Sequence, residues 1–117
     1  MKILVADDEA GFAEILKDRL SIKGCIVEIA LNGKQALDLI KSNLYDLVFL
    51  DHNMPELTGI ELTKYIRENS LKTKIVIVTA YPEIEDFFAK ALGADEYLTK
   101  PVKIKDVENI IDKYLSR

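Results

Sequence analysis

Asp7 and Asp8, Asp51, Thr79 and Lys100 each stand just past a short run of strand-like residues. The runs are Ile3-Leu4-Val5-Ala6, Leu47-Val48-Phe49-Leu50, Ile75-Val76-Ile77-Val78 and Glu96-Tyr97-Leu98-Thr99. Three carboxylates held together repel one another and resist ionisation. A hard divalent cation relieves that repulsion. Mg2+ suits such a set because it takes oxygen ligands, keeps several waters and needs few protein ligands. With a lysine and a threonine hydroxyl beside them, these are the parts of a phosphoryl-transfer site. A carboxylate can become an acyl phosphate while cations and a donor surround the phosphoryl oxygens. Singly, each residue has an ordinary reading. Asp7-Asp8 complements a helix dipole, Asp51 caps the turn before Pro55, Thr79 caps a helix, and Lys100 is an exposed loop lysine. Only their meeting at one place defeats those readings, and that depends on the elements carrying them.

The elements read as strand then helix, five times over. Lys2–Ala6 is the first strand, and Phe12, Ile15, Leu16 and Leu20 then recur at helical spacing until Gly24 stops the helix. Residues 25–30 form the second strand, Asn32-Gly33 a turn, and Ala36, Leu37 and Ile40 the second helix. Residues 45–50 form the third strand, with a continuous apolar run from Leu47 to Leu50 that ends at Asp51, and Met54-Pro55 with Gly59 makes the loop that follows. Thr58 is an N-cap with Glu61 at capping-box spacing, leading a helix whose apolar face is Leu62, Tyr65 and Ile66. Residues 74–78 form the fourth strand, 83–92 a more polar helix closed by Gly93, and 96–99 the fifth strand. The last helix carries Ile104, Val107, Ile111 and Tyr114 on one stripe, with Ile110 beside it. Because a helix separates each pair of strands, the sheet is expected to be parallel with right-handed crossovers. Strands without polar alternation require helices on both faces. The expected fold is therefore α/β, a doubly wound, flavodoxin-like (βα)5 domain over residues 1–117. Its five-stranded parallel sheet has the order 2-1-3-4-5. In that order strands one and three meet at the topological switch point, and ligands gather outside the carboxyl ends of the strands. All five side chains then surround one shallow pocket.

Composition narrows the classes further. At 117 residues one domain is expected, and a net charge of −4 argues against direct nucleic-acid binding. The lone Cys25 lies in a strand pattern and reads as core. No apolar run approaches the ~20 residues of a membrane span, and no signal-peptide core follows Met1-Lys2. The expected setting is the cytoplasm, with no membrane partner.

Taken together, Ile3-Leu4-Val5-Ala6-Asp7-Asp8-Glu9, Asp51-His52-Asn53-Met54-Pro55 with Gly59, Thr79-Ala80, and Gly93-Ala94-Asp95-Glu96-Tyr97-Leu98-Thr99-Lys100-Pro101 carry a resemblance. The chain resembles the receiver domains of bacterial two-component response regulators over essentially its whole length, in particular the stand-alone chemotaxis and sporulation types. The resemblance implies that Asp51 accepts a phosphoryl group from the phosphohistidine of a sensor histidine kinase or histidine phosphotransfer protein. It implies that Asp7, Asp8, Asp51 and the Asn53 backbone carbonyl hold Mg2+, with Asp7 acting through or beside a water. It implies that Lys100, Thr79 and the Ala80 backbone contact the phosphate, and that the Lys100-Pro101 peptide is cis. Thr79 and Tyr97 are then the switch pair, and Asn53 and Tyr81 tune dephosphorylation. The changing face would be the 83–92 helix, the fifth strand and the last helix, acting on an unknown downstream protein. His52 departs from many relatives and reads as a solvated loop side chain.

Other classes fit less well. A flavodoxin-like cofactor domain wants a Gly- or Ser/Thr-rich phosphate loop where this chain has Asp7-Asp8-Glu9. An aspartyl-phosphate phosphatase would carry Asp-x-Asp rather than adjacent acids. The expected activity is autocatalytic phosphoryl transfer and dephosphorylation, with no turnover of an external metabolite. The sequence stops after the last helix. Read as the natural end this gives a stand-alone receiver; otherwise it is the receiver portion of a longer transcriptional regulator. Phe12, Ile15 and the Pro101-Val102-Lys103 loop are candidate kinase contacts.

Overall fold

The structure, a computed structural model, describes residues 1–80 and 93–115. Five strands form one sheet: β1 (Lys2–Ala6), β2 (Ile26–Ala30), β3 (Leu47–Asp51), β4 (Lys74–Thr79) and β5 (Glu96–Thr99). Every pairing is parallel, as the alternating pattern requires, and the order is the expected β2-β1-β3-β4-β5. Four helices are described: α1 (Ala10–Ile22), α2 (Gly33–Ser42), α3 (Gly59–Glu68) and α4 (Ile104–Leu115). The polar helix expected over 83–92 lies outside the described residues, so α4 is the helix read from the sequence as the last.

The pleat sorts the apolar strand residues into two layers. Ile3 and Val5, Leu47 and Phe49, and Val76 and Val78 pack with Ala13, Leu16 and Leu20 of α1 and Val107, Ile110 and Ile111 of α4. Leu4 and Ala6, Val48 and Leu50, and Ile75 and Ile77 pack with Ala36 and Ile40 of α2 and Leu62 and Ile66 of α3. Successive side chains on a strand point to opposite faces, so a strand covered on both faces needs an unbroken apolar run. β3 is buried at all five positions. Cys25 is buried in the α1/α4 layer, as expected of a small core residue.

Local signals set the boundaries. At α3, Thr58 Oγ1 accepts from Glu61 N at 3.2 Å and Glu61 Oε1 accepts from Thr58 N at 3.1 Å, completing the expected capping box. Gly24 takes φ +87 and donates to Ser21 O, ending α1.

Some expectations shift. Asn32-Gly33 is the start of α2 rather than a free turn: Asn32 Oδ1 accepts from Gln35 N at 2.8 Å, and Gln35 Oε1 accepts from Leu31 N at 2.7 Å. Ile15 is 53% exposed, and the buried row of α1 is Ala13, Leu16 and Leu20. A three-four spacing beginning at Ala13 serves the core better than one through Ile15, and apolarity alone hid the difference. β2 and β3 begin one and two residues later than read. None of the described helices is long and apolar enough to cross a membrane.

Candidate functional site

Pleat parity aims three charges into one space. Asp51 continues the Leu47-Phe49 row, Asp7 lies two residues past Val5, and Lys100 two residues past Leu98, all in the α1/α4 layer. β1 and β3 run in register with Ala6 beside Leu50, which puts Asp7 and Asp51 side by side. Both are 2% exposed, whereas Asp8 is exposed at the rim. One oxygen from each of Asp7, Asp8 and Asp51 lies within 4.8 Å of the others.

The buried acids are only partly satisfied by the protein. Asp7 Oδ1 accepts from Glu9 N at 2.9 Å, and Asp51 Oδ1 accepts from Asn53 N at 3.2 Å. Asp51 Oδ2 is sealed from solvent and accepts no hydrogen bond among the described residues. Lys100 Nζ stands 3.3 Å from that oxygen, 3.7 Å from Asp7 Oδ2 and 3.2 Å from Glu9 Oε1. Burial, aided by the charge of Asp51, lifts Asp7 from the ordinary 3.8 to about 6, although the Glu9 N–H and Lys100 pull the other way. Burial works against the charge of Lys100, but Asp7 and Asp51 outweigh it and its pKa is raised. A sealed, unbonded carboxylate oxygen within reach of two further carboxylates is a hard-cation donor set with room for one more positive charge. The residues therefore fit Mg2+.

The neighbouring expectations fall as follows. Thr79 is fully buried at the end of β4, and its carbonyl accepts from Lys100 N at 2.7 Å. Ala80 follows it at the exposed rim. The Lys100-Pro101 peptide is cis. Asn53 is exposed on the loop after Asp51, and Tyr97 is half-buried against the α2/α3 layer. Tyr81 lies outside the described residues. His52 is not the solvated side chain expected: it is half-buried, its Nδ1 is shielded from solvent, and its N–H donates to Val78 O at 2.9 Å. Phe12, Pro101 and Val102, with Glu9 and Lys100, line an open cavity of about 430 Å³ beside the acids. Ile15 is not among the residues lining it.

The family model for the response regulator receiver domain matches residues 3–112. The chain belongs to the response regulator receiver domains. Among curated relatives, the transcriptional regulatory protein DltR of Streptococcus agalactiae serotype III is 38% identical over 108 residues, covering 92% of this receiver domain and 48% of that protein. The probable transcriptional regulator ycf27 of Porphyridium aerugineum is 40% identical, covering 99% of this chain and 48% of that one. The receiver domain thus spans about half the length of the curated relatives it matches. Among solved structures, a two-component response regulator from Clostridium difficile superposes with TM-score 0.92 at 33% identity, covering 100% of this chain and 97% of that one. The response regulator TrrA of Thermotoga maritima, in complex with Mg(2+)-BeF, gives TM-score 0.84 at 37% identity, covering 96% of each chain.

Two contributors had no assigned role in the sequence reading. Glu9 holds Lys100 at the mouth of the receiver site. Arg67, at the end of α3, donates to Leu71 O, Thr73 O, Gly93 O and Asp95 Oδ2, tying α3 to the entrance of β5. The i+3 acid after Arg67 that would mark an intrahelical pair is missing, and no sequence signal announced a partner 28 residues away.

Proposed function

We propose that the receiver domain accepts a phosphoryl group on Asp51 from a phosphohistidine and relays the change to a protein target. The observation that carries this reading is the sealed Asp51 Oδ2, which accepts no hydrogen bond among the described residues and faces Lys100 Nζ at 3.3 Å. In the transfer, an Asp51 oxygen forms a bond to phosphorus as the P–N bond of the donor imidazole breaks, and the electron pair leaves with the imidazole nitrogen. Asp7, Asp8, Asp51 and the Asn53 carbonyl would hold Mg2+, which supplies charge neutralisation at the phosphoryl oxygens. Lys100, already beside the Asp51 and Asp7 carboxylates, would add a second cation, and Thr79, the last residue of β4, and the Ala80 N–H would serve as donors.

Thr79 and Tyr97 form the switch pair of this reading, with Asn53 and Tyr81 governing access of water to the acyl phosphate. Phosphorylation adds charge and acceptors at one point and biases a two-state equilibrium, as such modifications do. Turnover of an external metabolite is not part of this reading. The partners are a sensor histidine kinase or phosphotransfer protein and a downstream protein, in a cytoplasmic setting. A receiver within a longer transcriptional regulator is compatible with the same chemistry, since relatives named as transcriptional regulators are about twice as long.

Intact-protein mass after acetyl phosphate treatment tests the proposal. The expected result is one phosphoryl group, dependent on Mg2+ and absent from Asp51→Ala. An unmodified native protein, after both acetyl phosphate and a phosphorylated kinase domain, would overturn it.

A further inference from the structure

The loop that follows Asp51 is braced by a residue far from it in sequence. Gly33 is the first residue of α2, and glycine is a poorer helix former than alanine. α2 is otherwise well begun, with Asn32 Oδ1 accepting from Gln35 N and Gln35 Oε1 from Leu31 N. The helix alone therefore gives no reason for glycine. The reason lies in the 52–58 loop. A Cβ on Gly33 would fall 2.5 Å from Leu57 Cβ and 2.6 Å from Leu57 Cα, and closer still to the Leu57 carbonyl oxygen. Two of these three atoms are backbone, so a side-chain rotation cannot make room. The Gly33 N–H, one of the helix-start donors with no partner inside the helix, donates to Pro55 O at 3.1 Å.

The loop so held is not in a relaxed form. Glu56 takes φ +75, a left-handed conformation unfavourable for a residue with a Cβ, which persists only where the surroundings impose it. Across Glu56 the Leu57 N–H donates to Pro55 O at 3.0 Å, and the same oxygen accepts from Gly33 N, so the turn and α2 meet at one carbonyl. At the far end, a Cβ on Gly59 would lie 3.0 Å from Asp51 O, so the loop fits tightly against the strand it leaves.

We propose that the bare Cα of Gly33 seats the 52–58 loop against α2 and thereby sets the Mg2+ affinity of the site that contains Asp51 and the Asn53 carbonyl. The inference rests on the Mg2+ site proposed above. Gly33 touches neither metal nor phosphate. It is a positioning residue acting through Pro55 and Leu57. A methyl group at Gly33 lifts the loop and moves the Asn53 carbonyl, while Asp51 and Thr79 stay on their strands and Lys100 stays just past β5.

The test compares native protein, Gly33→Ala and the control Gly11→Ala, whose added Cβ meets nothing within 4 Å. Mg2+ dissociation constants come from calorimetric titration, and acetyl phosphate labelling is followed against Mg2+ concentration, with urea stability measured separately. Gly33→Ala is expected to weaken Mg2+ binding roughly tenfold or more, as loss of support behind a metal ligand does. Its labelling rate at saturating Mg2+ should remain within a few-fold of native. Gly11→Ala should keep the native constant. A variant that is only less stable, but folded in the assay, would also keep it, so a native Mg2+ constant in folded Gly33→Ala overturns the inference. Should Gly33→Ala not fold, Leu57→Gly removes the Cβ that faces Gly33, the one side-chain atom of the contact, and the same rise in dissociation constant supports the inference while a native constant overturns it. A native protein that binds no Mg2+ overturns both this inference and the site it rests on. Native binding with unaltered variants overturns this one alone.

Discussion

Replacing Asp7 by Asn separates what the site does for folding from what it does for metal. The Asp7 carboxyl, 2% exposed, has a pKa of about 6 in the folded protein against an ordinary 3.8. It therefore holds its proton more tightly when folded, and its charge at neutral pH opposes folding. That opposition is fully present above about pH 6 and disappears below pH 3.8. A difference of about two pKa units corresponds to about 3 kcal/mol. Asn keeps the acceptor that Glu9 N–H uses at 2.9 Å but gives up the attraction to Lys100 Nζ at 3.7 Å. The net gain should thus be smaller, about 1–2 kcal/mol in metal-free protein at pH 7.5. Urea denaturation in EDTA should show a later midpoint for Asp7→Asn with an unchanged slope. At pH 4 most of the gain should vanish, because the native carboxyl is then already protonated. Added Mg2+ should stabilise the native protein by mass action and the variant much less, narrowing or reversing the order. An Asp7→Asn protein no more stable than native at pH 7.5 in EDTA, or equally favoured at pH 4, would refute the reasoning.

Other perturbations give distinct readouts. Lys100→Met removes the ammonium 3.3 Å from Asp51 Oδ2 that competes with a metal for the same oxygens; Mg2+ should bind up to roughly tenfold tighter while acetyl phosphate labelling slows, and weaker binding by calorimetry would contradict this. Arg67→Met removes the donor to the Leu71, Thr73 and Gly93 carbonyls and leaves Asp95 with only Ile75 N and Lys74, so urea unfolding should show a loss of about 2–3 kcal/mol, with Arg67→Lys recovering only part. Glu56→Gly relieves a left-handed backbone at φ +75. Against the added freedom of the unfolded chain, the net should be within about 1 kcal/mol of native, and a larger loss would show that the Glu56 side chain itself holds the loop.

The acids and Lys100 were legible because each closes a strand whose pattern is plain, and a parallel sheet brings strand ends to one edge whatever the details of packing. The parallel, doubly covered sheet followed from the same alternation, whereas its strand order is one of several that alternation allows. The Thr58-Glu61 box was legible because both partners lie within four residues. What escaped was contact between segments distant in sequence. Ile15 and Ala13 differ by about half a turn of helix, and only the packed neighbours decide which faces inward. His52 reads as a loop polar residue until the β4 carbonyl of Val78 fixes its backbone. Gly33 looked like turn chemistry because Asn-Gly is a common turn pair. Its steric role depends on where Leu57 arrives, 24 positions later. Arg67 could not be read as a clasp without knowing that Gly93 and Asp95 lie beneath the end of α3.

The parity that gathers Asp7, Asp51 and Lys100 bears on how such a chain can change length over generations. Deleting or inserting one residue within β1, β3 or β5 would rotate the terminal charge to the opposite face of the sheet, out of the layer shared by α1 and α4, while leaving the strand itself apolar enough to fold. Such a descendant would be stable and chemically silent. The connections at the other edge, residues 23–25, 43–46 and 69–73, enter the strands at their amino ends and can lengthen without altering which way any of those charges point. Variation in length is therefore directed to one end of the molecule, and new contacts acquired by insertion would grow there, a full strand length away from the acids they leave undisturbed.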